Sequence, residues 1–419
     1  MKKILLGTLA VLTLAACSKD EVIQQNPNDE ITFSVVTNKA VSRAADGYCN
    51  NETPAEMKVS ALYTDDNGSS WKTYFTNDTY EKKDKLDKAE KDYVIKGGVN
   101  RYWPNLGTAV DNTYMIYFAM VNAEPAWVGT GANVTMKTDF TVKSTVKDQV
   151  DVLYAVQKVT ERPSTGVQAL NFRHALSQIE FKAKNENSKI YVKVSGVKVM
   201  NVRDQGTFTL PVASTTTHYE ATGTDHSTLP TDETIASQGE WTDKTGAAQY
   251  TTTTLNDDAT ANQVKEIAGG SEVSLTETDP TGKEYNPNTL YVLPQSFGDS
   301  ADTPLWNGTD ALMDGSTYKT TTGAYLILTC QIFNVAGASY AGTDIAVWGE
   351  SEAKDIAVKL PNTEWKQGKR YVYTFTFTTA GNGGTDPGTG KPVLTPITLS
   401  VTVDDFVDGG NKDVDMVKP

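Results

Sequence analysis

The chain has 419 residues, more than one hydrophobic core usually serves, so its length favours two domains. Its formal net charge is −14, from 38 basic and 52 acidic residues, which argues against a nucleic-acid partner because such partners require a basic face. Three histidines and three cysteines leave little material for a metal site, a Ser/His/Asp triad or a disulfide framework. We therefore predict no catalytic residue, no bound metal and no cofactor.

The N-terminus has the features of a secretory signal. Two lysines precede an apolar stretch, residues 4–16, that is too short to cross a bilayer stably. It ends Leu14-Ala15-Ala16-Cys17, which is similar to a lipoprotein box, in which the cysteine thiol accepts diacylglycerol. We expect residues 1–16 to be removed as a signal peptide and Cys17 to be lipidated. The alternative is an ordinary secretory cleavage that leaves Cys17 as a free thiol.

Residues 17–30 are polar, with Asn, Gln and Pro, and this composition is typical of a flexible tether. The run Ser18-Lys19-Asp20-Glu21 is similar to the acidic surface-export signal of Bacteroidetes lipoproteins, which favours the outer leaflet of the outer membrane. A merely solvated linker would contain the same residues.

Past the tether, short alternating runs predict strands. Ile31–Val35 alternates apolar and polar residues, as a strand with one buried face does. Met57–Tyr63 and Trp71–Phe75 flank Asn67-Gly68, the dipeptide most typical of a hairpin turn. Tyr114–Val121 is a long apolar run that suits a strand covered on both faces. These runs predict a first β-domain over residues 31–168.

Strand patterns continue after a connector that contains Pro163 and Gly166. They occur at Leu170–Phe181, Tyr191–Val199, Leu290–Leu293, Tyr325–Cys330 and Tyr371–Phe375. The chain lacks a convincing long amphipathic helix pattern. We therefore predict an all-β protein of two tandem β-sandwich domains, transthyretin-like or Greek-key in type, with the second domain over residues 169–419.

Several polar and aromatic residues could have either a structural or a functional role. His174 is favoured as a hydrogen-bonded structural histidine, because the sequence near it offers no second metal ligand at a suitable spacing. Residues 211–261 are polar and rich in Thr, and indicate surface loops with short strands. Exposed tryptophans could stack on sugars, although packing is their commoner fate; the candidates are Trp127, Trp241, Trp306 and Trp348.

The order of these pieces resembles the fimbrillin-like family of Bacteroidetes, whose members build type V pili. The segments that carry the resemblance, in chain order, are the lipobox at Cys17, Ile31-Thr32-Phe33, Ser42-Arg43-Ala44, Arg101-Tyr102-Trp103-Pro104, Phe172–Ser177, Leu293-Pro294-Gln295, Trp365–Tyr373 and Val401–Phe406. Each segment is short, and their joint order makes the resemblance specific. Phe406 departs from the tryptophan that the family often has there.

The resemblance implies a mechanism of assembly. A lipidated precursor reaches the outer membrane, an arginine-specific protease cuts between Arg43 and Ala44, and the lost first strand leaves a groove that accepts a strand of another subunit. The groove-filling residues would be four apolar residues on one face of strand 397–403, namely Ile397, Leu399, Val401 and Val403. The alternatives are that Arg43 is an ordinary loop arginine and that residues 397–403 are simply the last strand of the second domain.

The implied function is a non-enzymatic structural or adhesive subunit of a fimbria on the cell surface. Its partners would be other pilin subunits, as a homo- or heteropolymer, the outer membrane through the lipid on Cys17, and a host or bacterial surface receptor, with no nucleic acid. The alternative is a surface lipoprotein that binds glycans or host proteins without polymerising.

Overall fold

In a computed structural model of the chain, most of the described residues lie in β-strands. The described residues are 30–35, 54–66, 69–83, 93–104, 114–130, 133–159, 167–170, 172–211, 238–253, 264–276, 290–298, 301–336, 340–361, 363–379 and 383–405. Within these ranges helical structure is limited to the 3-10 turn Val146–Asp148 and one 3-10 residue, Asn133, and nothing there is long and apolar enough to span a membrane as a helix. The prediction of an all-β protein is confirmed.

Twenty-eight strands are assigned within the described residues. The first ten are β1 Thr32–Val35, β2 Glu56–Thr64, β3 Lys72–Lys82, β4 Tyr93–Ile95, β5 Tyr114–Val121, β6 Ala126–Val128, β7 Thr135–Thr141, β8 Leu153–Val159, β9 Val167–Leu170 and β10 Arg173–His174. The next nine are β11 Ser177–Asn185, β12 Ile190–Val202, β13 Gln205–Thr209, β14 Glu240–Thr245, β15 Ala248–Thr253, β16 Lys265–Ile267, β17 Ser271–Ser274, β18 Leu290–Val292 and β19 Gln295–Ser296. The last nine are β20 Met313–Asp314, β21 Thr317–Tyr318, β22 Tyr325–Asn334, β23 Ile345–Trp348, β24 Lys354–Val358, β25 Glu364–Trp365, β26 Lys369–Phe377, β27 Gly383–Thr385 and β28 Pro392–Asp405.

The first large sheet has eight strands in the order β10-β8-β5-β2-β3-β4-β1-β9. Its β2 and β3 form the predicted antiparallel hairpin. At that turn the Asp66 carboxylate accepts hydrogen bonds from the hydroxyls of Ser70 and Thr64 and from the Ser70 backbone N–H, which lowers the pKa of Asp66 below its usual range. The Asp66 side chain therefore stabilises the turn, while the neighbouring Asp65 forms an ion pair with Lys72.

The second large sheet has twelve strands, with a central order of β15-β12-β22-β24-β27-β28-β26-β11-β17. Every pair along this order is antiparallel except β11 and β26, which are parallel. Alternate residues of β26 are buried, as the period of two requires for a strand with one face on the core.

A four-stranded sheet, β14-β13-β7-β6, joins residues from both sides of residue 168, since β7 pairs with β13. In addition, β9 spans residue 168, and β10 pairs with β8 in the first sheet. Strands therefore cross the position at which the sequence suggests a boundary, and the division into domains 31–168 and 169–419 stays a prediction.

The two faces of β5 pack in different hydrophobic clusters. Ile116 and Phe118 belong to a large cluster that also contains core residues of the second large sheet, such as Phe181. Tyr117 and Ala119 belong to a second cluster on the opposite face of the first sheet. The prediction that Tyr114–Val121 is covered on both faces is confirmed over its described side chains, and this second cluster contains the first strand of the chain.

Candidate functional site

The first strand, β1, lies inside its sheet between two neighbours. It pairs in parallel with all four residues of β9, from Thr32 opposite Val167 to Val35 opposite Leu170. On its other side it pairs antiparallel with β4, where Phe33 is opposite Tyr93. In the part of the chain that the structure describes, β1 is the sole strand partner of β9. We call the position between β4 and β9 the β1 slot.

An apolar pocket in the β1 slot holds Phe33. Its side chain is fully buried, and its ring meets the rings of Tyr80 and Tyr117 edge-on, with centroids 4.8 Å and 5.2 Å away. Both phenols are buried too, and loss of solvent raises the pKa of each well above its usual value. Full burial of a phenylalanine contributes roughly 1.5–3 kcal/mol relative to an exposed one. Phe33 is therefore the main apolar anchor of β1.

The motif that contains Arg101 borders the start of the slot. The backbone N–H of Ile31, a residue that is 2% exposed, donates to the carbonyl oxygen of Arg101 at 2.7 Å. The Arg101 guanidinium donates to Asp78, with Nε 2.6 Å from Oδ2, and lies over the ring of Phe75 at 5.4 Å. In the sequence, the motif Arg101-Tyr102-Trp103-Pro104 was singled out only by the family resemblance. Its contact with the first strand depends on pairing across about 70 residues, which alternation within one segment does not reveal.

The residues predicted for lipidation and cleavage, Cys17, Arg43 and Ala44, lie outside the described residues. Cys49, another of the three cysteines of the sequence, lies outside them too. The segment 36–53, which contains Arg43, joins β1 to the rest of the chain. After a cut there, β1 would be held in its slot by non-covalent contacts alone.

The residues predicted to fill a groove lie on β28. Ile397 is 2% exposed, and Leu399 and Val401 are half-buried against the large cluster, whereas Val403 is 49% exposed. From Ile397 to Asp405 this strand pairs with β26, and no second partner occurs among the described residues. In the single chain β28 is thus a strand of the second large sheet, paired on one side over this stretch, and its role as a donor stays a prediction.

His174 and Cys330 are both buried or nearly so, as residues with a structural role are. His174 is 10% exposed, and its Nδ1 lies 2.6 Å from Oδ2 of Asp151, as expected of a hydrogen-bonded structural histidine. Cys330 is fully buried, and burial raises the pKa of its thiol. In the described ranges, no three His, Cys, Asp or Glu residues are grouped to hold a metal ion.

Of the four candidate tryptophans, two are buried, which is the fate that the sequence favours. Trp241 is 7% exposed and donates its indole N–H to the carbonyl oxygen of Ala175, and Trp306 is 2% exposed. Trp127 and Trp348 are half-buried, with their indole N–H groups donated to Thr76 and Lys354. The polar sequence around Trp241 predicted surface loops with short strands. β14 is a short strand of this kind, and its pairing with β13 accompanies the burial of the Trp241 indole.

A family model described as "Fimbrillin-like" matches residues 42–405, and a model for the lipid attachment site of prokaryotic membrane lipoproteins matches residues 1–18, which include Cys17. No curated protein matches the chain.

Solved structures of similar proteins include two fimbrial ones. A fimbrial protein from Bacteroides vulgatus is 15% identical, with 90% of this chain and 99% of that one covered and a TM-score of 0.49. A fimbrilin from Porphyromonas gingivalis is 9% identical, with coverages of 92% and 99% and a TM-score of 0.38. At these low scores the family assignment rests on the match over residues 42–405.

Proposed function

Because this chain belongs to the fimbrillin-like family, we propose that it is a structural subunit of a fimbria that assembles by exchanging β1 for a strand of another subunit. The family and the lipid attachment site place the protein on the cell surface as a fimbrial lipoprotein. In the proposal, Cys17 carries the lipid that holds the precursor in the outer membrane, and the role of the chain is structural, not catalytic.

The observation that carries the proposal is the position of β1. This strand supplies the buried Phe33 and pairs on both sides, yet only segment 36–53 connects it to the rest of the chain. A cut after Arg43 would turn a built-in strand into a separable one. Loss of that strand would leave β4 and β9 with free edges around an apolar pocket, which a strand from another subunit can fill through backbone hydrogen bonds and alternating side chains.

The donor in the proposal is β28. Over Ile397–Asp405 it is paired on one side, so its release breaks one ladder of backbone hydrogen bonds among the described contacts. Its alternate residues are apolar, and their exposure rises from 2% at Ile397 to 49% at Val403. The part of this strand near Val403 thus buries the least apolar surface in its own domain.

The test is limited digestion of the purified full-length chain with an arginine-specific protease, followed by intact mass and size-exclusion chromatography. We expect a cut after Arg43 and growth into oligomers that resist SDS. The Arg43→Lys chain keeps the positive charge but not the cleavage site, and it should stay monomeric under the same treatment.

Two results would contradict the proposal. One is a cut chain that stays monomeric with its fold intact, which would favour a surface lipoprotein that binds glycans or host proteins. The other is equal polymer formation by the Arg43→Lys chain, which would show that a cut after Arg43 is not what permits assembly.

A further inference from the structure

The first and last strands among the described residues carry nearly the same pentapeptide. Residues 31–35 are Ile-Thr-Phe-Ser-Val and residues 397–401 are Ile-Thr-Leu-Ser-Val, so the two differ only in Phe33 against Leu399. Both lie in extended, paired backbone, the first at β1 and the second within β28. Two segments that match at four of five positions suit one and the same strand position.

The two segments place the same two positions on an apolar face, although only the first segment is covered on both faces. In the first, Ile31 and Phe33 are buried in the second cluster, and Thr32 on the opposite face is buried as well. In the second, Ile397 is buried, Leu399 is half-buried, and Thr398 and Ser400 are exposed. Because side chains of a strand alternate between its faces, Ile397 and Leu399 can take the places of Ile31 and Phe33 without turning the strand over.

We infer that residues 397–401 of one copy of this chain occupy the β1 slot of a second copy in the register of residues 31–35, with Leu399 in the Phe33 pocket. This inference rests on the proposed function and adds two things to it: the partner, which is a second copy of the same chain, and the register. The donated strand runs parallel to β9, as β1 does. Val403 lies outside the shared pentapeptide and is not needed in the pocket.

The one difference between the segments explains why exchange requires a cut. Leucine is smaller than phenylalanine, so Leu399 enters the Phe33 pocket without overpacking it. It cannot form the edge-to-face contacts that Phe33 makes with Tyr80 and Tyr117. While β1 is covalently attached, it fills the slot better than the donor, and the intact chain stays closed. Release of β1 removes that advantage.

Disulfide trapping tests the register directly. Val167 is opposite Thr32, so in the inferred register it is opposite Thr398 of the donor. Thr398 is exposed in its own domain, and Thr398→Cys therefore disturbs little. In a chain with Cys49→Ser, the pair Thr398→Cys and Val167→Cys should give disulfide-linked oligomers after the protease cut, visible as a ladder of bands on a non-reducing gel. The matched control pairs Ser400→Cys with Val167→Cys, two residues out of register, and should give few.

The outcomes separate the register from the proposed function. Ladders from the Ser400→Cys pair, with none from the Thr398→Cys pair, would overturn the register while strand exchange stands. If the cut chain polymerised only after a different subunit was added, the inference that the partner is a second copy of this chain would be wrong. A cut chain that forms no polymer under any of these conditions would overturn strand exchange itself, and the inference with it.

A gain-of-stability variant provides a second test. Leu399 borders a cavity of about 420 Å³ beside Trp306 and Ile397, so its own domain has room for Leu399→Phe. In the partner's slot a phenylalanine restores the aromatic contacts, and the cut polymer should dissociate roughly 2- to 12-fold more slowly in denaturant. Val403→Phe, outside the pentapeptide, should leave that rate unchanged. Equal effects of the two variants would contradict the placement of Leu399 in the pocket.

Discussion

The rings of Phe33 and Tyr80 meet edge-on at 4.8 Å, with their planes at 83°. This contact connects β1 to a buried residue of β3 in the second cluster. It follows that the precursor depends on a strand that the proposed assembly later removes, and the cost of losing that strand can be measured.

Phe33→Ala should destabilise the intact precursor by about 3–5 kcal/mol, because it removes a fully buried aromatic side chain and leaves a cavity against Tyr80 and Tyr117. Urea unfolding followed by tryptophan fluorescence measures the change. Val99→Ala is the control, since Val99 is 80% exposed and its truncation should change stability by less than about 0.5 kcal/mol. Equal midpoints for the two variants would show that β1 is not anchored in the pocket.

His174→Ala should cost roughly 3–5 kcal/mol, because it leaves the carboxylate of Asp151, whose side chain is 1% exposed, without its partner. The matched control is Lys72→Ala, which breaks the exposed ion pair with Asp65 and should cost less than about 1 kcal/mol. Thermal unfolding of the two variants provides the comparison. A His174→Ala chain as stable as the control would mean that Asp151 finds another partner.

Asp355 should make the stability of the second large sheet sensitive to acid. Burial favours the neutral carboxyl, but hydrogen bonds from Lys198, Thr329 and Tyr318 outweigh it and lower the pKa of Asp355 below its ordinary value of 3.8. A lowered pKa in the folded state gives stability that is present above pH 3.8 and is lost as the pH falls through the folded pKa.

The check is the urea midpoint of the wild-type chain and of Asp355→Asn between neutral and acid pH. The variant should be the less stable at neutral pH, and the difference should shrink as the pH falls below 3.8. A difference that stays constant with pH would contradict the role of the carboxylate.

Cys330 should resist thiol reagents until the protein unfolds. Its side chain is fully buried, and burial raises the pKa of the thiol, so the reactive thiolate is scarce. In a chain with Cys17→Ala and Cys49→Ser, labelling by a thiol reagent should follow the urea unfolding curve. Rapid labelling without urea would show that this part of the second sheet opens in the folded protein.

Local sequence patterns predicted much of the fold. Alternation identified β1 and the β2–β3 hairpin, and the apolar run of β5 predicted its two covered faces, because each of these signals lies within one segment. The pairing of β1 with β9 across more than 130 residues, and of β7 with β13, could not be predicted in this way. Such pairing depends on long-range packing, which also determines that Trp241 and Trp306 are the buried ones among the four candidate tryptophans.

The pairing of β9 with β1 alone, among the described strands, has a kinetic consequence. An empty slot would uncover two strand edges at once, one on β4 and one on β9, and unpaired edges promote aggregation. A subunit that lost β1 completely before another strand arrived would pass through this hazardous state. The safer route is a concerted one, in which the incoming strand advances residue by residue as β1 withdraws, so that neither edge is bare for long.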